Sequence, residues 1–184
     1  MDTDVLLDIV KEFADKAHGN QMRRYTPERY IVHPVRVMKT CKEYTSDITI
    51  LAAALLHDVL EDTPVTKEEL QAFLSGLMSK EDTIRTVQLV VELSDVYTTE
   101  NYPFWNRKKR KALEAKRLEQ TDASAQTIKY ADIIDNAPEV TEKEPDFAKK
   151  FIPEYNALLK KINKGNLVLY EKAIQVVDYC MSKL

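Results

Sequence analysis

Glycine is nearly absent from this chain, 3 in 184 residues, and so little turn punctuation argues against a sheet-rich fold. Cysteine is as sparse. Cys41 and Cys180 lie 139 positions apart, which makes neither a metal knuckle nor a CxxC redox motif. At this length roughly 70% of the unfolded surface can be buried, so no disulfide staple is required and a reducing cytoplasm is the compartment expected. Neither charge sign dominates: 27 Lys and Arg stand against 30 Asp and Glu, a formal charge of −3. That balance gives no global field to draw nucleic acid or an anionic membrane, so an anionic partner must be held locally. Long hydrophobic runs are missing too. The run Ile48 to Leu56 falls well short of the roughly 18 residues that span a bilayer. The acidic start MDTDVLLDIV, broken by Asp8, does not fit a secretory signal. With no low-complexity block, and no long single-sign charge run apart from Arg107 to Lys111, residues 1–184 are expected to form a single domain.

What is present is an almost unbroken 3.6-residue apolar rhythm, which predicts an all-α bundle of about eight to nine helices. The first is expected over Asp4 to Ala17, with Val5, Leu6, Ile9, Val10 and Phe13 on one face and Gly19 as its stop. A polar, irregular segment from His18 to Val32 follows, and Pro34 is expected to open the second helix at its first position. Ser46 or Asp47 can cap a third helix, ITILAAALLHDVL, apolar nearly all round and so central to the fold. Thr66 to Glu69 reads as a capping box, and Ser79 to Asp82 repeats its pattern. Further helices are expected from Asn106 to Leu118, Ser124 to Asn136, Asp146 to Asn163 and Asn166 to Ser182. The seventh of these expectations has it ending ahead of Pro138, because the residue before a proline disfavours the helical region.

The chemistry gathers at the end of the central helix. His57 and Asp58 terminate an apolar segment, with Glu61 and Asp62 one turn further on. Charge in that setting is costly unless something satisfies it. His57, Asp58 and Glu61 are spaced to reach toward one point beside the helix, where a divalent cation would compensate the carboxylates. Taken alone, a His-Asp dipeptide is more often a solvated pair than a metal site. The odds shift because His33, before Pro34, and Asp132, in IKYADIIDNA, border other helices. Two of the chain's 3 histidines fall in these HP and HD contexts.

The order His33-Pro34, then LLHDVLEDT at 55–63, then KYADIIDN at 129–136 resembles the HD superfamily of metal-dependent phosphohydrolases. More narrowly, it is similar to the hydrolase domain of RelA/SpoT-type enzymes and the stand-alone small alarmone hydrolases. Upstream, AHGNQMRRYTPERYIVHP is similar to that group's approach to its first ligand. The resemblance implies an HD-domain helical bundle with one divalent ion held by His33, His57, Asp58 and Asp132. A set of two imidazoles and two carboxylates suits Mn²⁺, Fe²⁺, Co²⁺ or Zn²⁺, and the family mostly uses Mn²⁺. Glu61 and Asp62 match its ED motif, which is assigned to activating or positioning the attacking water.

The same resemblance implies the substrate contacts. Arg23 and Arg24 match a pair of which the first stacks on the purine and the second lies beside the phosphates, tasks that suit a planar, permanently charged guanidinium. Asn136 matches a nucleoside contact. Tyr155 matches a residue packed near the ribose and base, and equally reads as a helix aromatic covering the core. His18 and Gln21 fit the pattern as residues that shape the loop without touching substrate. The basic run Arg107 to Lys111 reads first as a solvated face, yet relatives place basic side chains near the pyrophosphate here, and Lys108 is taken as that contact. Pro27 and Arg29 depart from the glycine and proline common at these positions in relatives, and Asp135 adds negative charge beside Asn136.

Together these features imply a cytoplasmic hydrolase that removes the 3′-pyrophosphate from guanosine or adenosine alarmones, a purine nucleotide polyphosphate substrate, with no nucleic-acid or membrane partner. The alternatives are an HD-type nucleotidase acting on another phosphorylated nucleotide, and a nucleotide-binding regulator that keeps the metal site without turnover.

Overall fold

In the computed structural model, which describes residues 2–184, the chain is all-α. Ten helical segments are present among the described residues, and they fall into two compact units, Met1–Ser94 and Asp95–Leu184. An isolated antiparallel bridge, Met22 with Arg29, is the extended pairing recorded among them. No helix among them is long and apolar enough to cross a membrane.

The first unit holds α1 (Thr3–His18), α2 (Val32–Lys42), α3 (Ile48–Leu56), α4 (Val59–Asp62), α5 (Lys67–Ser75) and α6 (Lys80–Leu93). Its centre is α3, where every residue from Thr49 to Leu56 is buried and α1, α2 and α6 pack around it. Fully burying a Leu or Ile contributes about 1.5–3 kcal/mol, so this helix anchors the unit. Its start is set locally by Asp47, whose carboxylate accepts from the Thr49 N–H at 2.8 Å. α5 carries the expected capping box: Thr66 accepts from Glu69 N at 3.2 Å and Glu69 accepts from Thr66 N at 2.8 Å. Ser79 caps α6 through its hydroxyl, which accepts from Asp82 N at 3.1 Å and donates to the Asp82 carboxylate at 2.7 Å. α1 ends at Gly19, which takes φ 56° and whose N–H returns to the Asp15 carbonyl, the left-handed stop that glycine permits.

Two boundaries in this unit differ from expectation. α2 begins at Val32, so Pro34 stands at its third position, not its first. Tight bonds from Val32 N to Arg29 O and from His33 N to Tyr30 O start the helix early, and a proline is tolerated anywhere among the first N–H groups, which lack intrahelical partners. The helix expected to run through His57 instead breaks there, leaving α3 and the single turn α4.

The second unit holds α7 (Arg107–Leu118), α8 (Ala123–Lys143), α9 (Pro145–Leu159) and α10 (Leu167–Met181), with α8, α9 and α10 packed on one another. Asn106 and Asn166 cap α7 and α10 through their side-chain oxygens. α8 runs on past Asn136 and through Pro138, against the expected stop. Pro138 is exposed while Ala137 and Val140 on either side of it are buried. Packing of those neighbours outweighs the local cost of the missing N–H and the ring clash, about 3 kcal/mol in a helix interior. Pro138→Ala should therefore raise stability by about 1–3 kcal/mol, read as a higher denaturation midpoint; a lower one would mean that the proline shapes a bend the packing needs. Cys41 and Cys180 are buried free thiols, and burial pushes the Cys41 thiol up to about 12, which makes it inert.

Candidate metal centre

The break between α3 and α4 builds the site. His57 closes α3, and Asp58 takes φ −98°, ψ −5°, the sparsely populated bridge region in which active-site residues often sit. His33 in the first turn of α2 is brought beside them because α2 packs along α3. Donor atoms of His33, His57 and Asp58 lie within 4.8 Å of one another. Asp58 Oδ2 is 3.0 Å from His57 Nε2 and 3.6 Å from His33 Nε2, with side-chain exposure of 3% and 1% for the two imidazoles. Donors sharing one ion at bond lengths of about 2.1 Å stand roughly 3–4 Å apart, which is this spacing.

The donor chemistry fits an ion as well. His57 Nδ1 sits 2.8 Å from the Ala54 carbonyl. A carbonyl only accepts, so Nδ1 carries the proton, and in the neutral form of the ring Nε2 offers a lone pair on the side of the Asp58 carboxylate. In that form Nε2 and Asp58 Oδ2, 3.0 Å apart, make a nitrogen–oxygen donor pair that suits a divalent cation. Asp58 is also held by Tyr30, whose hydroxyl donates to the same Oδ2 at 2.6 Å. Such outer bonds orient a ligand and tune its basicity. Tyr30 was not singled out from the sequence; the one signal it left was its place in the block ahead of His33-Pro34.

Of the predicted acids, Glu61 and Asp62 are exposed on α4. Glu61, beyond the break at His57, is not in the group of His33, His57 and Asp58 donor atoms that lie within 4.8 Å of one another, whereas a continuous helix was expected to aim His57, Asp58 and Glu61 at one point. Asp62 Oδ2 accepts a bond of 3.1 Å from Gln21 Nε2. The loop of residues 19–31 is cross-linked: Arg23 N bonds Glu28 O, Tyr30 N bonds Gln21 O, and the Arg29 guanidinium donates to Asp15 at 2.9 Å and to the Gly19 carbonyl at 2.9 Å. Arg23 lies over the Tyr30 ring and Arg24 over the Tyr25 ring, at 6.0 and 5.3 Å from the centroids.

Asp132 belongs to α8 in the second unit, where it is 4% exposed. Lys129 Nζ is 2.7 Å from Oδ2, and Asn136 Nδ2 donates to Oδ1 at 2.6 Å. Burial alone would push the Lys129 ammonium down, but the Asp132 carboxylate, with Tyr155 and Asp95, holds it well above the ordinary lysine range. The lysine thus stays charged beside the Asp132 carboxylate. Tyr155 is buried, its ring 4.4 Å from that of Phe151. Burial, then the Asp132 charge, pushes its hydroxyl far up, and it is bonded to Asn136. That places Tyr155 among the core aromatics, the structural one of its two readings.

The basic run on α7 is largely committed. Arg107 holds Glu154 through two bonds of 2.8 and 2.7 Å, Lys109 covers the Trp105 ring at 3.8 Å, Arg110 donates to the Trp105 carbonyl, and Lys111 pairs with Asp95 at 2.9 Å. Lys108 is exposed, and its ammonium has no partner among the described residues.

An all-helical chain with two buried imidazoles and a half-buried carboxylate gathered at a helix break defines a class of helical domain equipped to hold a metal ion. The HD domain family model matches residues 11–158, and the chain belongs to that family. It is 29% identical to the Danio rerio guanosine-3′,5′-bis(diphosphate) 3′-pyrophosphohydrolase MESH1, across 95% of this chain and 93% of that one. It is 28% identical to a probable guanosine-3′,5′-bis(diphosphate) 3′-pyrophosphohydrolase of Mycoplasma pneumoniae, across 91% of this chain but 22% of the relative, and so spans less than a quarter of that protein's length. Its fold is similar to a solved structure of a metazoan ortholog of SpoT that hydrolyzes ppGpp, with a TM-score of 0.77, 21% identity, and 95% and 94% of the two chains covered.

Proposed function

We propose that this chain is a metal-dependent phosphohydrolase that removes the 3′-pyrophosphate from a guanosine or adenosine alarmone. The observation that carries this reading is a group of two buried imidazoles and a half-buried carboxylate, His33, His57 and Asp58, in a chain similar, over nearly its whole length, to a relative named for that reaction. Asp132 is assigned as the fourth ligand on the strength of the resemblance, and Lys129 and Asn136 keep its carboxylate ionised and oriented. A divalent ion, Mn²⁺ before Fe²⁺, Co²⁺ or Zn²⁺, would supply Lewis acidity toward water and a phosphoryl oxygen. The family match at 11–158 runs through the junction at Ser94, which supports a single HD domain over residues 1–184; a cytoplasmic location goes with the proposed reading.

In this reading Glu61 and Asp62 take the proton of the attacking water. The oxygen of that water bonds to the 3′ phosphorus as the bond from phosphorus to the ribose 3′ oxygen breaks. Pyrophosphate departs and the 3′ oxygen recovers a proton. Arg24 and Lys108 offset charge on the pyrophosphate, Arg23 stacks on the purine, and Asn136, held by Tyr155, contacts the nucleoside. Lys108 is preferred over its neighbours because their charges are already paired or stacked.

Incubation with guanosine and adenosine alarmones, with and without Mn²⁺, and chromatography of the products tests the reading. Pyrophosphate and the matching nucleotide are expected only with the ion. Inorganic phosphate as the product, or tight binding without turnover, overturns it. In the same assay Lys108→Ala should raise KM about 3- to 10-fold with kcat little changed, the mark of lost uniform binding.

A further inference from the structure

Asp62 is the last residue of a helix only four residues long. A single turn has little stability of its own, since helix nucleation costs more than one turn returns. Its backbone is tied by the Asp62 N–H to the Asp58 carbonyl at 2.8 Å, but that bond does not orient the side chain. The restraint on the carboxylate comes from a residue 41 positions earlier: Gln21 Nε2 donates to Asp62 Oδ2 at 3.1 Å. Gln21 is itself held, because its Oε1 lies 2.8 Å from His18 Nδ1.

The hydrogen-bond inventory fixes every direction in this chain. An ionised Asp62 only accepts, so the amide NH₂ of Gln21 must face it and the amide oxygen must face His18, which therefore carries its proton on Nδ1. His18 is buried, 7% exposed, at the C-terminal end of α1, and α1 packs on both α3 and α4. The His18 ring also lies 4.6 Å from the Tyr30 ring, and Tyr30 is the residue that donates to Asp58. The backbone bond from Tyr30 N to Gln21 O, 2.9 Å, joins the two arms. One buried imidazole thus stands behind a metal-group carboxylate on one arm and an exposed carboxylate on the other.

We infer that Gln21, oriented by His18, is a positioning residue that holds the Asp62 carboxylate in place for proton transfer from the attacking water. This rests on the hydrolase reading above and adds that the ED pair is steered from the end of α1. Neither His18 nor Gln21 touches substrate in this scheme. A misplacement near 1 Å is enough to cost on the order of 10- to 100-fold in rate, so a weak exposed bond can matter kinetically while contributing little to stability.

Two measurements test it. In the ¹⁵N-labelled protein, the Gln21 side-chain amide pair should shift in Asp62→Ala and in His18→Ala, while that of Gln175 stays in place; an unmoved Gln21 pair overturns the contact regardless of turnover. In the alarmone assay with Mn²⁺, Gln21→Leu should lower kcat about 10-fold or more with KM and bound metal unchanged, and His18→Ala should lower kcat at least as far. His18→Asn, whose side-chain N–H replaces Nδ1–H, should recover most of the loss, and Gln21→Leu should add nothing to Asp62→Ala. Wild-type turnover with an equally active Gln21→Leu, or losses that add with Asp62→Ala, overturns the relay and leaves the hydrolase reading standing. A wild-type protein that releases no pyrophosphate overturns both.

Discussion

Asp58→Ala is expected to lose bound metal and turnover together, whereas Glu61→Ala keeps the ion and loses the reaction. Asp58 Oδ2 is the atom on which both imidazoles converge, at 3.0 and 3.6 Å. Removing it leaves two neutral nitrogens without the anionic charge that offsets a divalent cation. It also deprives the Tyr30 hydroxyl of its acceptor. Glu61, by contrast, is exposed on α4 and outside the ligand group, so its removal leaves the cluster intact. Elemental analysis of purified variants, paired with pyrophosphate release, reads both halves. The expected fall in turnover is on the order of 10³-fold or more for Asp58→Ala and on the order of 10²-fold or more for Glu61→Ala. An Asp58→Ala protein that retains its ion and its rate would contradict the metal assignment, and a Glu61→Ala protein of full activity would leave the proton transfer to Asp62 alone.

Gly165→Ala should be among the most destabilising single changes in the second unit. A Cβ at Gly165 would stand 2.6 Å from Tyr130 Cε2 and 2.8 Å from both Thr127 N and Thr127 Oγ1. Tyr130 is fully buried and cannot swing aside, because its hydroxyl donates to the Ile162 carbonyl at 3.0 Å and accepts from Gly165 N at 3.2 Å. Thr127 Oγ1 in turn accepts from Asn166 N at 2.9 Å, the residue that caps α10. Relief of the clash must therefore break hydrogen bonds or move α8 from α10. A loss of about 3 kcal/mol follows, a fall in Tm of roughly 10 °C for a chain of this size. Gly76→Ala is the control: its Cβ would meet only the Phe73 carbonyl, at 3.5 Å, and its φ of −80° suits any residue. Equal melting of the two variants would show that the turn before α10 can open without cost.

Helix starts were legible in the sequence because a cap is local. Asp47, Thr66, Ser79, Asn106 and Asn166 each bond an N–H two or three residues ahead, so residue type and spacing carry the whole signal. Gly19 was legible for the same reason. Helix ends set by packing were not. The continuation of α8 through Pro138 and the break at His57 depend on what lies against each helix, and local propensity is a weak prior against that. The blocks around His33 and His57-Asp58 were readable as chemistry, since histidine and aspartate where apolar helices begin and end need a compensating charge. Tyr30 and Gln21 were not readable in their roles, because each acts on a residue 28 or 41 positions away.

The sequence by itself determined an all-helical chain, the starts of most helices and the residue types of a nitrogen-oxygen metal site, because periodicity, capping and ligand softness are properties of residues and their near neighbours. Only the tertiary structure decided that α2 lies along α3 so that His33 meets His57 and Asp58, that Arg107, Lys109, Arg110 and Lys111 are already engaged while Lys108 is not, and that Gln21, held by His18, reaches Asp62. Apart from the local contacts of Lys109 and Arg110 with Trp105, the deciding contacts join segments far apart along the chain, and the burial of α3 and of the α8–α10 interface, not any local preference, is what brings such segments together.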